Sequence, residues 1–149
     1  AFTKDTVSLP YPVVGWQVAD SPAIGGTFSA ANDKGRSTLA AFASSGERGE
    51  LLRKYMFLAP GSYRFASRFS ALDGAPDSEV RWELQCVKAA GNTSAWFVAT
   101  PVQKGQFGLT QDFNVGSDCR TQLLVLQAAG GSSQLGTEFT VNSVDIVER

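Results

Sequence analysis

Histidine is absent from all 149 residues. That removes the commonest general base and metal ligand. The Ser-His-Asp and Cys-His constellations and the H-E-x-x-H metalloprotease helix go with it. The chain also lacks a P-loop, a G-x-G-x-x-G following a strand, and a G-x-S-x-G elbow. Charge of one sign is lacking too: 13 Lys and Arg stand against 14 Asp and Glu, scattered along the chain. Without a basic run to displace counterions from a phosphate backbone, no nucleic-acid partner is expected. No apolar stretch reaches bilayer length, so no transmembrane segment is expected. The opening Ala1-Phe2-Thr3-Lys4 has no charged and apolar leader pattern; it reads as a cut edge of a processed or larger exported protein.

What remains is an ordinary globular composition, 43% apolar and 18% charged. The length suits one domain over residues 1–149. The two cysteines, Cys86 and Cys119, follow neither a C-x-x-C nor a zinc-ligand pattern. Two buried free thiols are one reading. A disulfide is the other, because Cys86 ends one strand pattern and Cys119 precedes another. A bridge closing a loop of that length stabilises by about 3–4 kcal/mol in the chain-entropy account. It would imply a periplasmic, cell-surface or secreted location.

Helix signals are scarce, and the Ser37–Ala43 stretch lacks a sustained 3.6-residue period. Alternation of period two is common instead. It predicts strands over Val13–Val18, Ser37–Ala43, Glu50–Leu58, Tyr63–Ala71 and Val80–Val87. Further strands are predicted over Ala95–Thr100, Gln106–Val115, Thr121–Ala128 and Glu138–Val147. In the fourth, Tyr63, Phe65 and Phe69 share one face and Arg64, Arg68 and Ser70 the other. In the fifth, Val80, Trp82, Leu84 and Cys86 point in while Arg81, Glu83 and Gln85 point out. The Leu-Leu-Val-Leu run at 123–126 predicts a strand covered on both sides. The last strand slips phase between Val141 and Val144, as a bulge at Asn142-Ser143 would produce. The sum is an all-β, two-sheet antiparallel sandwich, a jelly roll in preference to an immunoglobulin-like one.

Four segments resemble a known family. Leu58-Ala59-Pro60-Gly61-Ser62-Tyr63-Arg64-Phe65 is similar to the L-x-P-G-x-Y-x-F turn of the galactose-binding-like jelly rolls, the fold of many bacterial carbohydrate-binding modules. Arg81–Cys86 resembles the strand after it. Asp118–Leu126 resembles a strand of jelly-roll C-terminal domains in bacterial envelope proteins. Phe139–Ile146 resembles the closing F-x-I-D-D-V-x-V strand. The resemblance implies a non-catalytic glycan-binding module, or alternatively a protein-interaction or scaffolding domain of an envelope protein. No cofactor is implied. Where those modules carry paired aspartates, one often ligating a structural calcium, this chain has Asn142 and Ser143, which weakens a hard-cation site.

Sugar binding asks for exposed rings beside polar groups. Trp16 and Trp82 alternate in phase with core positions. Trp96, after the polar 91–94 loop, is therefore the tryptophan expected at an exposed rim, with Phe97 beside it turned inward. Tyr11 and Tyr55 are secondary candidates. A charged sheet face built from Arg64, Arg68, Arg81 and Glu83 is the second expected ligand surface. Asp73, Asp77 and Glu79 read as a solvated turn rather than as catalytic carboxylates.

Overall fold

Alternating apolar and polar residues bury one side of each strand and wet the other, so two such sheets must close face to face. The computed structural model describes residues 15–30, 36–73, 76–87, 95–132 and 134–149. Among them are ten strands and no helix. They are β1 (Trp16–Val18), β2 (Ile24–Phe28), β3 (Leu39–Ala43), β4 (Arg48–Met56) and β5 (Gly61–Asp73), then β6 (Glu79–Cys86), β7 (Ala95–Pro101), β8 (Gly105–Val115), β9 (Gln122–Ala129) and β10 (Thr137–Glu148). They form two five-stranded sheets, ordered β1-β4-β9-β6-β7 and β2-β3-β10-β5-β8. Every pairing is antiparallel. This is the jelly-roll sandwich that the sequence predicts. Val13, Val14 and Tyr11 lie outside the described residues.

The core is aromatic and runs between the sheets. Phe65 of β5 meets Trp82 of β6 edge-on at 5.5 Å and Trp96 of β7 at 5.2 Å. Trp16 adds an edge contact to Trp82 at 6.5 Å, and Phe113 meets Trp96 at 5.3 Å. Leu39, Leu52, Leu124, Leu126, Val141 and Ile146 complete it, all fully buried. In β9 both sides are buried as expected, since Leu123 and Val125 on the outer side are buried as well as the fully covered Leu124 and Leu126.

Two details follow the sequence closely. Val141 pairs with Phe69 but Ser143 pairs with Arg68, so the register shifts where the phase slip predicts a bulge. Cys86 and Cys119 form a disulfide with Cα atoms 5.6 Å apart. It ties the end of β6 to the turn before β9. Buried Gln122 finishes that corner: its Oε1 accepts from Leu58 N at 2.8 Å and its Nε2 donates to Cys119 O at 2.8 Å. A buried amide so satisfied costs little.

One strand is missing from the sequence reading. β2 carries Gly25 and Gly26, which hide its alternation. The glycines are there for close approach: a Cβ at Gly25 would stand 2.9 Å from Phe42 Cε1, and one at Gly26 would stand 3.0 Å from Leu39 Cδ1.

Trp82 is fully buried between both neighbouring rings. Replacing it with Ala is expected to cost about 3–5 kcal/mol, the loss for deleting a large core aromatic. Urea unfolding followed by circular dichroism measures it; a midpoint equal to the parent's would remove Trp82 from the core.

Candidate ligand-binding face

Each sheet turns one side outward, and the two outer faces differ in chemistry. On the β1-β4-β9-β6-β7 sheet the register sets the outward residues in rows. Tyr55, Leu123 and Gln85 form one row; Arg53, Val125, Glu83 and Phe97 form the next. Glu50, Gln127, Arg81 and Ala99 form a third. Two rings in these rows are exposed, Tyr55 at 47% and Phe97 at 56%. Past the end of β4 the alternation continues, with Met56 buried and Phe57 78% exposed. Two exposed rings therefore border this face, and a third follows just past the end of β4. Tyr55 and Phe97 stand three strands apart, about 14 Å across the sheet. Leu123 and Val125 make an apolar floor between them.

Polar groups over that floor are tied to one another. Arg53 grips Glu50 with two guanidinium nitrogens. The hydrogen bond to Glu50 raises the Arg53 pKa still further, against a smaller opposing effect of burial. Arg81 Nε lies 3.1 Å from Glu83 Oε1, and its guanidinium lies over the Phe97 ring at 3.9 Å. Gln85 and Gln127 both donate to Glu83 Oε2, at 3.2 and 3.3 Å. With Arg48 and Glu79 at the far end of the strands, this face carries three guanidiniums and three carboxylates among the described residues. It is polar but electrically neutral.

The other outer face, on β2-β3-β10-β5-β8, carries Arg64, Arg68 and Asp112. Arg64 Nε and Arg149 Nη1 flank Asp112 at 2.9 and 2.8 Å. The Arg64 hydrogen bond, with help from the Arg149 charge, holds the Asp112 carboxyl below the usual range. Further along, an open groove of about 460 Å³ is lined by Phe42, Ser70, Leu72, Gln106, Glu138 and Thr140. Asn142 of the bulge donates to Ser70 Oγ at 3.2 Å. Among the described residues no three acid or cysteine side chains come together as a cation site. Asp77 is exposed and bound to the Ser132 backbone N–H, whose hydrogen bonds lower its pKa.

At the level of sequence, no family model and no curated protein matches the chain. Solved structures do. One is the C-terminal family 22 carbohydrate-binding module of Clostridium thermocellum Xyn10B: TM-score 0.61 at 15% identity, covering 95% of this chain and 91% of that one. Another is the CBM22-1 xylan-binding domain of Paenibacillus barcinonensis Xyn10C, with TM-score 0.61, 11% identity, and 95% and 92% coverage. The chain has the jelly-roll fold of carbohydrate-binding modules. The enzymatically active domain of bacteriophage CBA120 tailspike protein 4 is similar too, at TM-score 0.62 and 9% identity; 98% of this chain matches, but only 20% of that one.

Set on this jelly roll, the sequence-predicted site residues fall in three places. Arg81 and Glu83 belong to the face with the exposed rings. Arg64 and Arg68 do not: β5 and β6 lie in different sheets, so the expected four-residue charged face is split across opposite sides of the sandwich. Alternation tells which side of a strand is wet, not which sheet the strand joins. Trp96 is half-buried against the core and lines a pocket of about 260 Å³ with Phe113, Asn114, Gly116 and Asp118. It pairs with inward Leu84 and packs on Phe65 and Phe113, while Phe97 is the exposed neighbour. The inversion has a legible cause, since Trp96 and Val98 share the core phase and Phe97 shares the wet phase with Ala99. Phe57, Gln85 and Gln127 were not among the expected site residues. Their signal is the outward phase of β4, β6 and β9, readable only once these strands are known to be neighbours.

These positions separate stability from surface. Trp96→Ala is expected to destabilise by about 3 kcal/mol or more. Phe97→Ala should leave the melting temperature within a few degrees, because surface truncations usually cost little. Thermal melts of both variants check this; the reverse order would restore Trp96 to the rim.

Proposed function

We propose that this chain is a non-catalytic glycan-binding module whose ligand lies across the outer face of the β1-β4-β9-β6-β7 sheet. The observation that carries the reading is the conjunction of Tyr55 and Phe97 on that one face, and Phe57 just past the end of β4, with a neutral network of amides, guanidiniums and carboxylates. Pyranose rings offer apolar C–H faces that stack on aromatic rings and hydroxyls that bond to amides and charged groups. Neutrality favours an uncharged sugar chain over an acidic one. The similar structures support the reading: the Clostridium module is described by the conserved residues of its cleft in ligand binding, and the Paenibacillus one as xylan-binding.

Binding without catalysis fits the same residues. Glycoside hydrolysis needs two carboxyl groups roughly 5–9 Å apart, one of them free to give up a proton. On this face Glu50 and Glu83 are each engaged by an arginine. The Cys86–Cys119 disulfide supports an oxidising location: periplasm, cell surface or outside. A protein-interaction role is the second reading. It is favoured by the groove on the opposite face, where Leu72 is 85% exposed beside Phe42.

Affinity electrophoresis and calorimetry against xylan, cellulose-derived and galactan oligosaccharides test the proposal. A neutral polysaccharide should bind with little salt dependence, since no net charge is neutralised. Tyr55→Ala and Phe97→Ala should each weaken it roughly five- to tenfold without changing the fold, whereas Phe42→Ala should not. Retention lost with Phe42→Ala alone would move the site to the other face. No retention of any polysaccharide would favour the protein-partner reading.

A further inference from the structure

Glu83 occupies the centre of the ring-bordered face yet is only 14% exposed. Both oxygens of its carboxylate face neighbours. Oε1 faces Arg81 Nε at 3.1 Å, and Oε2 accepts from both Gln85 Nε2 and Gln127 Nε2. An ionised carboxylate only accepts hydrogen bonds, so each glutamine must turn its NH2 edge toward it. The consequence points outward. The carbonyl oxygens of Gln85 and Gln127, and one N–H of each amide, have no partner among the described residues. Arg81 lies beside the same carboxylate, its Nε without a hydrogen bond among the described residues, and rests on Phe97.

We propose that Glu83 is a positioning residue that sets the specificity of this face without touching the ligand. It locks two amides so that their acceptor oxygens look up from the Leu123–Val125 floor, between Tyr55 and Phe97. A free sugar hydroxyl answers such an amide twice, donating to the carbonyl and accepting from the N–H. An O-methyl or O-acetyl group cannot donate, and it leaves a desolvated carbonyl unpaired. The ligand class is therefore a neutral glycan with unsubstituted hydroxyls along the bound stretch, and each lost donor should weaken binding roughly tenfold. An acidic glycan is disfavoured, because Glu50 and Glu83 lie beneath the same strip. This specificity rests on the glycan reading above; the locked amides do not.

The test has two arms. In the free protein, the side-chain amide signals of Gln85 and Gln127 in ¹H–¹⁵N spectra should each show one proton shifted from the free-glutamine position and protected from exchange. The isosteric Glu83→Gln should return both to ordinary positions while the melting temperature stays within a few degrees. Amide signals indifferent to Glu83→Gln overturn the positioning role. In the second arm, xylohexaose and cellohexaose are compared with their per-O-methylated forms. The parent should prefer the free-hydroxyl chain at least tenfold, and Glu83→Gln should bring that ratio close to one. A parent ratio near one, or one unchanged by the substitution, overturns the specificity claim. If the amides respond but neither native oligosaccharide binds, the glycan reading falls and the specificity claim with it, leaving a structural clamp. Should Glu83→Gln fail to fold, Gln127→Leu removes one oriented amide and leaves the Arg81–Glu83 pair; a loss under threefold in binding then overturns the proposal.

Discussion

The Phe65 ring, set edge-on between Trp82 and Trp96, is the contact on which the rest of the sandwich depends. It comes from one sheet and is gripped by two strands of the other, so it fixes β5, β6 and β7 at once. In a strand the side-chain period is two, and a slip of one residue exchanges the wet and dry sides. Placing Phe65, Trp82 and Trp96 inward therefore decides what points outward. Arg64 goes to one outer face, and Arg81, Glu83 and Phe97 go to the other. The ligand face is a consequence of core packing, not a separate construction.

The same face owes its character to β9. A strand buried on both sides leaves little room for polar groups, and Leu123 and Val125 duly supply an apolar floor. Most of the polar function then comes from the flanking strands, where Arg53, Glu83, Gln85 and Arg81 reach in beside it, joined by Gln127 near the end of β9. Charges so close to an apolar floor are poorly hydrated, which explains why each is matched to a neighbour. The result is a surface with rings at its borders and hydrogen-bonding groups already held in place. Such preorganisation reduces what a flexible ligand must spend on ordering its partner.

Much of this was legible in the residues. The alternation in Tyr63–Ala71 and Val80–Val87, the double burial of 123–126, the bulge at Asn142-Ser143 and the Cys86–Cys119 bridge all emerge from period and position. The failures share a cause. Gly25 and Gly26 have no side chain to alternate, so β2 is invisible until Phe42 and Leu39 are seen lying against them. Arg64, Arg68, Arg81 and Glu83 share the wet phase of consecutive strands, but in a sandwich consecutive strands can cross between sheets. The polar sequence before Trp96 argues for an outward ring while Val98 two residues on marks the core phase, and the ring is accordingly half-buried. Local pattern carries a strand's two sides; only long-range pairing carries its neighbours.

The central claim is that the ligand lies across the β1-β4-β9-β6-β7 sheet. Mapping backbone amide shifts during titration with a bound neutral oligosaccharide tests it most directly. The account predicts perturbations concentrated at Arg53, Tyr55, Glu83, Gln85, Phe97, Leu123 and Gln127, with Arg64, Arg68, Ser70 and Thr140 silent. Shifts clustered instead on β3, β5, β8 and β10 would contradict it.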